Sequence, residues 1–282
     1  MSSKISKISK KSKTRRNPYS SIPKQDDGDD GDYGDYEKKE KGSTYLLPIQ
    51  KEMLKGVVFH LFFQMCLLLA VVMIGHHYLK TYTCLFTCES TWKGFAIYIL
   101  LAIVLLLGNT YGSPSKPFDI FVRTSCFYGL GLLLSYVMLI TYNMVLLESK
   151  TPEEEEWVKN SFYIAMGMTI GFFLLLLLFL PWLIQNLQTL GFLTGIFFFI
   201  LIIMTIMILF VNINKNQKLW TVYLVLALVI FVVFTMFDLA NVISRCKKPD
   251  TLECRSEVGA TSIYIDLVNV LQKVFLLLNN NH

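Results

Sequence analysis

From Val57 onward the chain is a succession of apolar stretches, each near the length of a membrane-crossing helix and each closed by a short polar segment. Seven such runs are predicted, near residues 55–76, 93–111, 118–147, 153–180, 189–211, 219–244 and 259–278. The fourth carries the clearest start signal. Thr151 can cap it, Pro152 suits the first helical position, and Glu153 to Glu156 fall where the helix dipole favours acids. Pro117 opens the third in the same way. The pattern predicts an all-α polytopic membrane protein, with the most polar run, the seventh, the helix most shielded from lipid.

Two of the runs carry charge where hydrocarbon belongs. Asp238 sits in Thr235-Met236-Phe237-Asp238-Leu239-Ala240-Asn241, and Asp266 in Ile265-Asp266-Leu267-Val268-Asn269-Val270-Leu271. A carboxyl inside a membrane span is costly, so a proton site, an ion pathway or a buried partner is the default expectation. Asp238 lies seven residues before Arg245, and Asp266 seven residues after Gly259. Each acid is therefore about 10 Å in from the same edge, at about 1.5 Å per residue. Consecutive antiparallel helices are usually neighbours, so the two acids can face each other.

At 100° per residue, Asp238, Asn241, Ser244 and Arg245 share a stripe of the sixth run; Ser262, Asp266, Asn269, Gln272 and Lys273 share one of the seventh. Because the helices run in opposite directions, the stripes extend from the acids to opposite sides. They give a polar track about 20 Å long in a core about 30 Å thick. Two close carboxylates in low dielectric resist double ionisation, so the pair is expected to share one proton and titrate as a unit. The alternative is that each acid is satisfied by a neighbouring helix, for example Asp266 by Arg123 of the third run.

Composition supports the membrane reading: the 282 residues are 54% hydrophobic and only 17% charged. The net charge of +5 comes with a basic block in the first sixteen positions and no patterned basic face, so no nucleic-acid partner is expected. Residues 1–52 place Lys4 to Arg16 ahead of an acidic segment from Asp26 to Glu40, a composition unable to bury a core. They are predicted to form a disordered tail, with 53–282 as the transmembrane domain. The tail either serves as a solvated topology signal or lays its basic block on anionic lipid. No apolar leader precedes the first run, which is expected to act as the targeting signal; no myristoylation glycine, prenylation box or glycosylation sequon occurs.

Orientation follows from lysine and arginine. The tail and the connections after runs two, four and six carry the basic block, Lys116, Arg245, Lys247, Lys248 and Arg255. The other connections have fewer cations, diluted by Glu153 to Glu156, so the N-terminus is expected to be cytoplasmic. Cys84 and Cys88 then face the opposite side, as free thiols or as a disulfide, while Cys246 and Cys254 face the cytosol and stay reduced. His76 and His77 beside Cys84 and Cys88 match no zinc spacing, so no metal is expected. His60 and Gln64 are expected to make interhelical hydrogen bonds. Glu153, Glu154, Glu155 and Glu156 either form an acidic mouth that concentrates cations or simply begin a solvated helix. No nucleophile triad, nucleotide loop or HExxH pattern is present, and enzymatic activity is not expected.

These segments resemble the transmembrane Bax-inhibitor-motif, or lifeguard, proteins. The family's terminal Leu-Tyr-Leu-Asp-Ile-Ile-Asn-Leu-Phe segment is similar to Ser262-Ile263-Tyr264-Ile265-Asp266-Leu267-Val268-Asn269-Val270 here. Its Tyr-Asp-Thr-like motif is similar to Phe237-Asp238-Leu239, and its first-span glutamine to Gln64. The likeness is carried by residues 219–278, with little over 112–215. The divergence and the long charged tail resemble virus-encoded relatives. The resemblance implies six helices around a central seventh, an aspartate latch sensitive to pH, and passive calcium leak from endoplasmic reticulum or Golgi stores, with the plasma membrane as a further location. It also implies suppression of apoptosis, with apoptosis-regulating membrane proteins as candidate partners and no cofactor besides calcium as permeant ion. Those roles carry over to Asp238 and Asp266. The bacterial members' arginine in span two has no counterpart, and Arg123 is the residue expected to replace it. Two other functional classes stay open, a receptor-like seven-helix protein and a non-conducting membrane adaptor.

Overall fold

A computed structural model describes residues 46–79, 91–111, 116–211, 217–248 and 251–280. Seven helices follow in order: α1 (Pro48–Leu79), α2 (Thr91–Thr110), α3 (Pro117–Glu148), α4 (Pro152–Gln185), α5 (Leu187–Val211), α6 (Gln217–Arg245) and α7 (Ser256–Asn279). A short 3-10 turn at Leu252–Cys254 precedes α7. The described residues contain no strand. Six helices are long and apolar enough to cross a membrane, and α2 contributes a shorter described apolar stretch, Ile97–Thr110. All seven predicted runs correspond to helices. The predicted tail to residue 45 and the Cys84–Cys88 loop lie outside the described residues.

The predicted start signals work as local chemistry requires. Thr151 adopts extended backbone and its hydroxyl accepts from the Glu154 amide at 3.2 Å, with Pro152 following at the first helical position. Pro117 opens α3 behind an extended Lys116. Helix α1 begins at Pro48, earlier than the predicted boundary at 53. Its first turns carry Lys51, Glu52 and Lys55, too polar for a hydrocarbon pattern to register but compatible with a helix leaving the bilayer.

The connection after the fourth run differs from expectation. Helix α4 continues through Pro181 to Gln185, and α5 starts at Leu187, with Asn186 alone between them. A proline in a membrane helix gives up one backbone hydrogen bond, and nearby groups compensate for the loss. Asn186 forms the junction: its side-chain amide donates to the Trp182 carbonyl at 2.8 Å and its backbone N–H to the same carbonyl at 3.1 Å. From there the helices diverge, and α5 packs chiefly on α6.

Helix α7 packs against α1, α2, α3, α4 and α6. Its membrane-length stretch is 56% buried, against 11% for α5, so among the six long described spans the least hydrophobic is also the most enclosed. Close approach is made possible at Gly259, where a Cβ would strike the side chains of Val242 on α6 and Met53 on α1. Gly131 on α3 likewise leaves the space that the Gln64 side chain of α1 fills.

Candidate functional site

The polar residues of α7 do not form a single stripe. Glu257, Thr261, Tyr264, Gln272 and Asn279 lie on one side; Ser262, Asp266, Asn269 and Lys273 lie roughly 125° around, at 100° per residue. Each side meets different helices.

On the first side, Glu257 pairs with Arg123 of α3, Nε to Oε1 at 3.5 Å, with the guanidinium completely buried. Arg123 Nη1 also donates to the Tyr111 carbonyl at 3.3 Å. One turn further, Asn109 of α2 donates to the Thr261 hydroxyl at 2.6 Å. The Tyr264 and Ser135 hydroxyls are 3.4 Å apart, and Gln272 donates to the Thr141 hydroxyl at 2.9 Å, both partners being on α3. Asn279 donates to Ser161 of α4 at 2.8 Å.

The second side carries the aspartates. Ser262, one turn before Asp266, hydrogen-bonds the Asp238 side chain, and the Asp238 and Asp266 carboxyls interact electrostatically. Asp266 is 7% exposed, and its Oδ2 is buried with no hydrogen-bond partner among the described residues. Asp238 is half-buried and feels the Arg245 charge from the end of α6. The two acids are thus within electrostatic reach of each other across α6 and α7.

The other predicted track residues behave differently from one another. Asn241 accepts from Arg245 Nε at 2.9 Å within α6, and Arg245 is exposed. Asn269 donates to its own helix at the Ile265 carbonyl, 2.9 Å. Lys273 reaches the Gln272 carboxamide at 3.4 Å and lies 5.6 Å from the centre of the Tyr223 ring on α6. Gln272 turns toward α3, away from the stripe in which its sequence position placed it.

Arg123 is not at the aspartates. Its carboxylate partner, Glu257, lies nine residues before Asp266 on α7, about 13 Å away along the axis at 1.5 Å per residue. Depth counted from the helix ends misassigned it, because α7 begins at Ser256, three residues earlier than predicted, and brings a carboxylate of its own to that level. A buried arginine needs a partner wherever it falls, so the lone Glu257 at the start of the seventh run was the available signal.

The cysteine expectation is also corrected. Cys246 and Cys254 form a disulfide, with Cα atoms 4.6 Å apart. The expectation of free thiols came from compartment alone; the 3-10 turn folds Cys254 back onto the end of α6, within bonding distance. Cys66 and Cys126 are free. His60 Nδ1 contacts the Tyr128 hydroxyl at 3.1 Å, and Gln64 donates to the Phe127 carbonyl at 3.1 Å, both being the expected interhelical bonds to α3. His76 contacts the Asn143 carboxamide at 3.1 Å, and the described residues contain no cluster able to hold a metal ion. Among Glu153 to Glu156, Glu154 accepts from the Lys150 amide at 2.6 Å, completing the α4 cap and drawing that carboxylate into helix initiation.

Compared with protein-family models, curated proteins and solved structures, the chain matches none. The helices define an integral multi-pass membrane protein whose environment is the lipid bilayer.

Proposed function

We propose that the chain is a pH-gated cation leak pathway in which α7 is the central, polar helix and Asp238 and Asp266 form the gate. One observation carries this reading: Asp266, within electrostatic reach of Asp238 on the adjacent span, presents a buried carboxyl oxygen without a hydrogen-bond donor among the described residues. A helix with polar residues on two well-separated faces is tolerated in a bilayer only when protein surrounds it, which supports α7 as the core of the bundle. With one proton shared, the pair carries a single charge and α6 and α7 stay together. Loss of that proton places two like charges in low dielectric, and their repulsion drives the helices apart along the polar residues. Arg245 on α6 and Lys273 on α7 are the cations flanking the pair along these two helices.

The resemblance to the lifeguard family supports calcium as the permeant ion, an endomembrane location and a role in restraining apoptosis. The lysine and arginine distribution supports a cytoplasmic N-terminus. A non-conducting adaptor is the second reading. It is favoured by the hydrogen bonds that already occupy Gln272, Asn269 and Asn279. Calcium flux into liposomes holding the purified protein separates the two. The leak reading expects flux that changes when Asp238→Asn or Asp266→Asn is introduced; absence of flux from folded, inserted protein favours the adaptor.

A further inference from the structure

The link between α6 and α7 is short, basic and covalently closed. Cys246 follows Arg245 directly and Cys254 stands two residues before Ser256, so their disulfide joins the end of one aspartate-bearing helix to the start of the other. The two sulfurs are unequal. Cys246 is fully buried in the main hydrophobic core, whereas Cys254 is only partly buried at its edge and is the more accessible of the two. Lys247, Lys248 and Arg255 flank the pair in sequence, with Asp250 and Glu253 between them. Beyond the staple, α7 is held near its start by Glu257 to Arg123 on α3, and by the packing of Gly259 against Val242 and Met53. The bond is thus the covalent tie between α6 and the first turn of α7, eight residues before Ser262, the residue that hydrogen-bonds Asp238.

We propose that the Cys246–Cys254 disulfide is a reversible redox staple that sets how tightly α6 and α7 close around the aspartate pair. The proposal rests on the leak reading for its consequence, and on the cytoplasmic placement of this link for its reversibility. Disulfides on that side of a membrane are usually transient or redox-sensing and seldom structural. The reductant is a cellular thiol of the glutathione class. One thiolate attacks Cys254 Sγ, forming a mixed disulfide as the Cys246–Cys254 bond breaks and Cys246 leaves as a thiolate that takes up a proton. A second thiol attacks the mixed disulfide, releasing Cys254 as a thiol. Two electrons and two protons pass to the protein, and the two reductant thiols end as their own disulfide. Reduction loosens the α6 end from α7, so the aspartates separate more readily and the leak rises.

The test uses the full-length protein in lipid nanodiscs equilibrated with glutathione redox buffers. Alkylation followed by mass measurement reports the state of the bond. Hydrogen exchange over residues 255–262 reports the tie between the helices, independently of any transport. Calcium flux is then measured in liposomes under the same buffers. The expected result is that millimolar reduced glutathione opens the bond, exchange at the start of α7 rises several-fold, and flux rises with it. The double variant Cys246→Ser, Cys254→Ser should match the reduced state and lose all response to glutathione. A bond that resists millimolar glutathione, or that opens without changing exchange, overturns the staple. If exchange responds but no flux occurs in either state, the staple stands and the leak reading fails.

Discussion

Replacing Glu257 with glutamine should be among the most destabilising single changes in the bundle. Its partner Arg123 is 0% exposed and Glu257 itself 7%, so neither charge has water to fall back on. At 3.5 Å the attraction between unit charges is about 5 kcal/mol with an effective dielectric of about 20. Removing one member of a buried pair costs about 3–5 kcal/mol, because the remaining ion stays desolvated. Glutamine keeps an acceptor for the guanidinium and the Tyr111 carbonyl still receives Nη1, which places the expected loss near the lower end, about 3 kcal/mol. Replacing both residues by apolar ones of similar size, Arg123→Met with Glu257→Leu, removes the desolvated charge together with its partner and should recover most of that loss. The assay is reversible unfolding in mixed micelles with increasing sodium dodecyl sulfate, read by tryptophan fluorescence. A loss below about 1 kcal/mol for Glu257→Gln, or a double variant no more stable than the single one, would refute the claim that this pair is a buried clasp of α3 to α7.

Impermeant thiol reagents applied to sealed, oriented vesicles after mild reduction should label Cys254 from the tail side and Cys84 and Cys88 from the other; the opposite pattern would invert the topology. Thr151→Ala should cost about 1 kcal/mol in the same unfolding assay through the lost cap of α4, and no measurable change would mean that the Thr151 cap is dispensable. Gly259→Val should cost about 1–3 kcal/mol by forcing α7 away from Val242 and Met53, and a neutral result would mean the helices do not approach there. Changing Glu153, Glu155 and Glu156 together to glutamine, while keeping the capping Glu154, should lower flux at low ionic strength if the helix start concentrates cations; unchanged flux leaves it a solvated helix start.

The sequence exposed the spans because hydrocarbon thickness imposes their length, and it exposed the aspartates because charge inside such a run has few explanations. Thr151, Pro152 and Pro117 were equally legible, since capping is local chemistry. What could not be read was which face of α7 meets which neighbour. One helical wheel placed Gln272 with the aspartates, yet the packing of α3 against α7 brings Thr141 opposite it. The partner of Arg123 depended on axial offset between helices far apart in sequence, a few residues of which exchanged Asp266 for Glu257. The junction at Asn186 was hidden by Pro181, which punctuates soluble helices but is absorbed within a membrane span. The disulfide depended on a 3-10 turn whose fold is not encoded in cysteine spacing.

The central claim, that Asp238 and Asp266 act together as a proton-controlled gate, is tested most directly by the pH profile of calcium flux through the purified protein and through Asp266→Asn. Asparagine keeps the shape and removes one charge, so ionisation of Asp238 no longer creates a like-charged neighbour and no longer drives α6 from α7. The account predicts flux that falls on acidification for the parent and is nearly flat with pH for Asp266→Asn, at similar insertion and stability. An Asp266→Asn protein that inserts normally and keeps the parent's pH profile would contradict it and make the carboxyl pair a structural feature.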